Sequence, residues 1–451
     1  MKTPRSLVIP DGVFWTVSKS LGAHTLHGRR RPTPRTDGRT ENGITDQRQA
    51  QPSVRQTFSN GESQEYSRFG KSYTAPQIRS LWVFWVPREY RYWLYDYEHP
   101  DTASILLHLE SILHQNPKIK LNLLIVAAKV DLKDLFEKWQ PEGYEASVKG
   151  TSEIFRMRLR KVTPETEEET LAGDILAFRF ANPVYVFLSD QLTQFVKHVL
   201  HPFLDCYYPD VLPLYLSSYE LFLMLRGLKD RSKGDVVIDR LTAYSRLEGP
   251  GERRRIEVTY THETLEDVFH RVLENDQWVD KIRFSLFDPA GSLEMSGYLS
   301  RYGFFRCRHS FALFFQSVVT EAMLMAGKKL RAFGEKNRSI ERPSPRRLEI
   351  SYDTEVFQGR EQILRFSEAM TAMKFTSTSI YHGNPYFHAS MLDYLDGSSY
   401  EIWVVTGNKV HIIPQIRASD ASLARLVNHI FEFFKEGSIE GYANPTETLS
   451  H

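Results

Sequence analysis

The sequence predicts an α+β protein of several domains. Two or three repeated β-α-β(3-4)-α units are expected, with curved antiparallel sheets backed by helices. Three observations carry this. Short apolar runs rich in Val, Ile, Phe, Tyr and Trp recur along the chain, and turn formers such as Asp288-Pro289-Ala290-Gly291, Asp396-Gly397 and Gly407-Asn408 separate them. Longer stretches with apolar residues at three- and four-residue spacing lie between groups of these runs. At 451 residues the chain is also too long for a single core.

Taken in order, residues 81–86 read as a buried strand ended by Pro87, with the aromatic segment 90–97 beside it. Asp101 caps a helix to about residue 114, with Ile105, Leu106, Leu109, Ile112 and Leu113 on its apolar face. A strand at 118–128 and a short helix at 131–139 follow. In 154–162 apolar and basic residues alternate, as on a half-exposed strand, and 165–169 is an acidic loop. Strands at 175–180 and 184–188 flank Asn182-Pro183, and Ser189 or Asp190 opens a helix to about 204. Turn residues at 207–213 read as a linker. The middle third holds a helix from Ser217 or Ser218, a strand or two within 236–247, strands at 255–261, 281–287, 293–299 and 302–308, a helix from Thr261 or Thr264 to 275 and a long helix at 310–333. After a basic linker at 334–345 come a strand at 347–352, a helix at 358–373, four strands between 375 and 414, and a helix from Ser419 that Gly437 closes. The expected organisation is a disordered basic tail over 1–78, α+β domains over 79–212, 213–340 and 341–440, and a loose end over 441–451.

Local likenesses suggest a duplicated module. Ile256-Glu257-Val258-Thr259-Tyr260 resembles Leu348-Glu349-Ile350-Ser351-Tyr352, and residues 192–199 resemble 423–430, each after a Ser-Asp pair.

The composition is that of a globular chain, 41% hydrophobic and 13% aromatic, with a formal net charge of +1. Residues 1–79 carry 13 Lys/Arg against 6 Asp/Glu, and the remainder 44 against 50, so a basic tail precedes a mildly acidic body. Cys206 and Cys307 are the only cysteines, which excludes a disulfide framework and a four-thiolate zinc site and fits a cytoplasmic setting. No signal-like apolar core follows the first basic residues, because Pro10 and Asp11 break it. The apolar stretch 311–327 contains Gln316, Ser317, Thr320 and Glu321, so it reads as a buried helix and no membrane partner is expected.

No phosphate loop, dinucleotide fingerprint, Gly-x-Ser-x-Gly or His-Glu-x-x-His motif is present, and no cofactor is implied. Basic residues gather instead in rows. Arg156, Arg158 and Arg160 share one face of a strand, and Arg301, Arg306 and Arg308 lie near Tyr298 and Tyr302. Further clusters are Arg253-Arg254-Arg255 and Arg338, Arg342, Arg346 and Arg347. Basic rows with aromatics nearby suit contact with a nucleic-acid backbone. A second cluster, His382, His388, Asp393 and Asp396, surrounds two turns and offers imidazoles and carboxylates for metal or hydrolytic chemistry. The leading expectation is a non-enzymatic intracellular protein that binds a macromolecule, nucleic acid first and a protein second. The alternatives are a metal-dependent or hydrolase-like enzyme using His382, His388 and Asp393, and a structural subunit whose interface is the aromatic segment 81–97.

Overall fold

Residues 123–128 form an apolar run without alternation, which suits a strand covered on both faces. They belong to β1 (Leu121–Ala128), buried along its whole length, inside an eleven-stranded antiparallel sheet. The computed structural model describes residues 101–440, apart from 117, 140–142, 163–168, 182, 192, 247–254, 260–262, 337–343, 345, 384–385 and 416. The expected strands at 81–86 and 90–97, the tail over 1–78, the end over 441–451, and Arg253, Arg254, Arg338 and Arg342 lie outside the described residues.

Before β1 comes α1 (Thr102–Gln115), capped by Asp101, whose carboxylate accepts from the Ser104 amide at 2.7 Å. After β1 come α2 (Leu132–Lys138), β2 (Tyr144–Gly150), β3 (Ile154–Val162), β4 (Glu169–Ala181), β5 (Val184–Ser189), α3 (193–206) and β6 (Val211–Pro213). The middle of the chain supplies α4 (Ser218–Ser232), β7 (Asp235–Ser245), β8 (Arg255–Thr259), α5 (Leu265–Glu274), β9 (Gln277–Phe287), β10 (Leu293–Ser300), β11 (Phe304–His309) and α6 (311–334). The last part supplies β12 (Leu348–Ser351), α7 (Arg360–Thr371), β13 (Thr376–Gly383), β14 (Phe387–Asp393), β15 (Ser399–Thr406), β16 (Lys409–Pro414), α8 (Asp420–Phe433) and β17 (Ser438–Ile439). Helices α3 and α6 each contain a π turn, at 196–200 and 315–319. The protein is α+β, with eight helices and two antiparallel sheets among the described residues. None of the described helices is long and apolar enough to cross a membrane.

The large sheet runs β2-β3-β4-β5-β1-β11-β10-β9-β7-β8, and β6 pairs with β1. Strand β11 takes Leu121–Leu124 and β6 takes Val126–Ala128, so together they occupy one edge of β1. The boundary expected near 212 therefore falls inside one sheet, and the expected linker at 207–213 supplies one of its strands. The physical reason is the backbone of β1, whose buried amides and carbonyls need partners on both edges. Residues 341–440 do build a sheet of their own, in the order β13-β14-β15-β16-β12-β17.

Strand order β2-β3-β4-β5-β1 in the first unit matches β13-β14-β15-β16-β12 in the last. In both, the strand before the first helix lies beside the last strand. The middle unit differs: β7 lies beside β9, and β8 forms the outer edge. Residues 256–260 thus begin on an edge strand, whereas 348–352 begin on an internal one, despite their likeness in sequence. The helices α3 and α8, which carry the other likeness, do occupy corresponding places in the chain order.

One face of the large sheet is covered from β4 across to β7, whereas the arginines of β3 on that face stay partly or fully exposed. Leu123, Ile125, Phe178, Val186, Ile282, Phe284, Leu299 and Phe305 pack there against Leu109 of α1, Leu221 and Leu225 of α4, Val268 of α5 and Phe314 and Val318 of α6. Among the described residues the other face is covered only over β1–β5, where Leu124, Phe155, Met157, Ile175 and Phe187 pack against Phe136 of α2 and Val199 and Phe203 of α3. Over β7–β11 this second face carries mainly Arg, Lys, Ser and Thr, and no described helix covers it.

In the small sheet, Glu349 of β12 faces His411 of β16 and accepts from Lys409 Nζ at 2.6 Å, His411 Nε2 at 2.9 Å and Ser351 Oγ at 3.1 Å. The Lys409 ammonium, against the opposing effect of burial and helped by His411 and Ser351, holds this carboxyl down to about 2. A depressed folded-state value means stability that is present above the ordinary carboxylate value near 4.5 and is lost as pH falls toward about 2. Denaturation measured between pH 5 and about 2 is expected to show this loss, and Glu349→Gln to flatten that part of the profile. A Gln variant with an unaltered profile would remove Glu349 from the account.

Candidate polyanion-binding face

Strict alternation builds the open face. On β9, Lys281, Arg283 and Ser285 point outward, while Ile282, Phe284 and Leu286 enter the core. On β11, Phe305 and Cys307 point inward, and Arg306 and Arg308 outward. On β10, Ser296 and Tyr298 lie on the outer side of Met295 and Leu299. Gly297 between them is required because a Cβ there would run into the Phe284 ring.

Register then aligns these residues across strands. Asn122, Arg306, Tyr298, Arg283 and Arg240 form one transverse row over β1, β11, β10, β9 and β7. Arg308, Ser296 and Ser285 form the next row. Lys120 precedes Leu121, the partner of Cys307, and so stands beside Arg308. Together these side chains line a concavity of about 650 Å³ with Lys120, Arg240, Arg255, Lys281, Arg283, Arg306 and Arg308 as its cations and Asp239 and Glu257 as its carboxylates.

The charge is unevenly compensated. Glu257 lies 2.5 Å from Arg240 and 3.6 Å from Arg255, and Lys281 has Asp280 at 3.3 Å. Asp239 accepts from Ser285 Oγ at 2.9 Å. Among the described residues no carboxylate lies within ion-pair distance of Lys120, Arg283 or Arg308. Arg306 donates to Asn122 Oδ1 at 2.7 Å, and its guanidinium carbon stands 5.9 Å from the ring centres of both Tyr298 and Phe304. Burial lowers the proton affinity of Lys120, and Arg308, Arg306 and Arg283 lower it further. Burial does the same to Arg306; Tyr298 opposes this, and Arg308 and Arg283 add to it. Arg283 also stands directly opposite Arg240, a like-charge pairing that destabilises a bare sheet.

The arginines expected at such a site divide three ways. Arg306 and Arg308 are on this face. Arg156, Arg158 and Arg160 lie on the opposite face of the sheet, since their neighbours Phe155, Met157 and Leu159 enter the core under α2 and α3. Arg156 meets Asp174 at 3.1 Å, Arg158 meets it at 3.9 Å, and Arg160 pairs with Glu145. Arg301 is a correction: it is 0% exposed and cannot reach a phosphate. Its guanidinium lies 3.6 Å from Glu432, 3.5 Å from Glu436 and 4.8 Å over the Trp278 ring, between the large sheet and α8. Lys120, Arg240, Lys281 and Arg283 escaped the sequence reading. The alternation of Lys281, Arg283 and Ser285 with apolar residues was their signal, weaker than a run of arginines.

The second candidate cluster does not converge. His382 and His388 face each other across β13 and β14, with ring centres 6.4 Å apart. His388 stacks on Trp403 at 3.5 Å and meets Glu401 at 2.5 Å on the outer face of the small sheet. Asp393 lies on the inner face with Phe387, Ala389 and Met391, is 0% exposed, and pairs with Arg425 at 2.5 Å. An odd spacing of five residues puts it on the opposite side from His388. Asp396 caps its own turn, accepting from the Ser398 amide at 2.8 Å and from Ser419 Oγ at 2.5 Å. Among the described residues no group of three His, Cys, Asp or Glu is placed to hold a metal ion. Cys307 is a core residue whose thiol burial pushes up, and Cys206 is exposed. No protein-family model matches the chain, and no curated protein matches it in sequence.

Proposed function

We propose that the protein binds nucleic acid without catalysing a reaction on it, holding the sugar-phosphate backbone against the open face of β7–β11. The observation that supports this best is the row Arg306, Arg283 and Arg240 beside Arg308 and Lys120, whose mutual repulsion an anionic ligand would relieve. The hydroxyls of Ser296 and Thr242 add neutral donors along the same concavity. The net acidity of the body is no obstacle to this reading, because field and contact are set by the local face. A cytoplasmic location belongs to the same reading, with both cysteines as free thiols.

Binding to labelled single-stranded and duplex oligonucleotides, followed across a salt series, tests it. Affinity is expected to fall linearly on a log–log plot. Arg283→Ala with Arg308→Ala is expected to lower the slope by roughly 1.4 for a single strand, two contacts at about 0.7 each. Charge reversal of Arg156, Arg158 and Arg160 on the other face is expected to leave the slope unaltered. Absence of binding at low salt, or an unchanged slope in the double variant, overturns the proposal.

A further inference from the structure

The open face is not electrically uniform along its width. At the β7–β8 side, Glu257 pairs with both Arg240 and Arg255 and offsets part of their charge. At the β1–β11 side, Lys120, Arg306 and Arg308 gather with Arg283, and no carboxylate lies within ion-pair distance of Lys120, Arg283 or Arg308 among the described residues. Between Arg306 and Arg308 on one side and Arg283 on the other lie only Ser296, Gly297 and Tyr298 of β10. Neighbouring strands stand about 4.8 Å apart, so arginines of β11 and β9 are rooted about 10 Å from each other, with β10 as a floor between them. At Ser296, between Arg308 and Ser285, that floor is a small side chain with a hydroxyl, and between Arg306 and Arg283 it is the Tyr298 side chain. Long cationic side chains around the Ser296 hydroxyl, with the Tyr298 ring on one side, leave a recess there sized for a compact anion.

Charge decides which anion. A backbone phosphodiester brings one negative charge. A phosphate monoester brings about 1.5 to 2 at neutral pH, with three acceptor oxygens that suit forked guanidinium donors. Four gathered cations match the monoester better than the diester. We infer that this end of the face is a pocket for a phosphate monoester, the terminal phosphate of a nucleic-acid strand, with Arg306, Arg308, Arg283 and Lys120 as its walls and Ser296 as its floor. The strand then leaves the pocket over Arg283 toward Arg240. The inference rests on the nucleic-acid reading for the identity of the ligand, but not for the pocket's preference for a monoester.

The test uses the full chain and four probes: one oligonucleotide with hydroxyl ends, the same oligonucleotide phosphorylated at the 5′ end or at the 3′ end, and a free nucleoside monophosphate. One phosphorylated form is expected to bind at least ten-fold tighter than the hydroxyl-ended form. Ser296→Asp, which sets a carboxylate into the floor, is expected to abolish that ratio, and thermal melting checks that the variant folds. Arg308→Ala serves as a second variant with the same expected outcome. Arg240→Ala is expected to weaken all three oligonucleotides alike and to leave the ratio intact. Equal affinity for phosphorylated and hydroxyl-ended strands overturns the pocket while leaving nucleic-acid binding in place. Binding of the nucleoside monophosphate, lost in Ser296→Asp, with no binding of any oligonucleotide upholds the monoester pocket and overturns the nucleic-acid reading. Failure of all four probes overturns both.

Discussion

Replacing Arg301 by methionine is expected to lower the stability of the fold by about 3–5 kcal/mol, the range found when one partner of a buried ion pair is removed. Arg301 sits where three parts of the chain meet. Its own backbone amide donates to Asp280 O, its guanidinium approaches Glu432 and Glu436, and it donates to Asn428 Oδ1 at 3.3 Å. Glu436 is shared with Arg246 at 3.4 Å and with the amide and hydroxyl of Ser218 at the start of α4. Burial opposes the charge on Arg301, and Glu432 and Glu436, together with Tyr302 and Asp280, outweigh that opposition. Without the guanidinium, two carboxylates stay in a poorly solvated site with one cation fewer to balance them. Denaturant unfolding at unchanged slope reads the loss directly. Adding Glu432→Gln and Glu436→Gln to Arg301→Met is expected to recover part of it. A variant of wild-type stability that lost oligonucleotide binding would instead return Arg301 to the ligand-binding surface.

Asp393→Ala is expected to cost about 3–5 kcal/mol for the same reason, since it strands the Arg425 cation between the small sheet and α8. The carboxylate holds Arg425 at 2.5 Å and accepts from Ser422 Oγ at 2.7 Å and the Leu395 amide at 3.0 Å. It thereby ties the end of β14 to α8 and to the turn before β15. Asp393→Asn keeps acceptor capacity without the charge and is expected to fall between Ala and wild type. His388→Ala removes a stack on Trp403 at the sheet surface and is expected to cost about 1 kcal/mol. A His388 loss equal to that of Asp393, accompanied by loss of bound metal, would revive a shared site for the two residues.

Much of the fold was legible because local chemistry specifies it. Asp101, Asp131, Ser217 and Ser419 were readable as helix starts because their side-chain oxygens serve amides two or three residues on, a purely local contact. The alternation in 154–162 gave β3 its limits and its two faces. The joining of the first two expected domains was not legible. Nothing in 207–213 or 304–309 says that those segments share an edge of β1, because that pairing connects residues far apart in the chain.

The candidate site divides along the same line. Alternation by itself determined that Arg306 and Arg308 share a face opposite Cys307, and that Asp393 turns away from His388. Only the tertiary structure decided which faces meet water. It placed α2 and α3 behind Phe155 and Met157, and so left Arg156, Arg158 and Arg160 on the far side of the sheet. It laid Glu432 of α8 and Glu436 just beyond it against Arg301, and so turned an expected phosphate contact into a buried strut. It set Arg283 beside Arg240 and near Arg306, and so made a cationic row from residues that no stretch of sequence brings together. Strand period fixes the side a residue takes, whereas charge compensation depends on partners that only packing across the chain can supply.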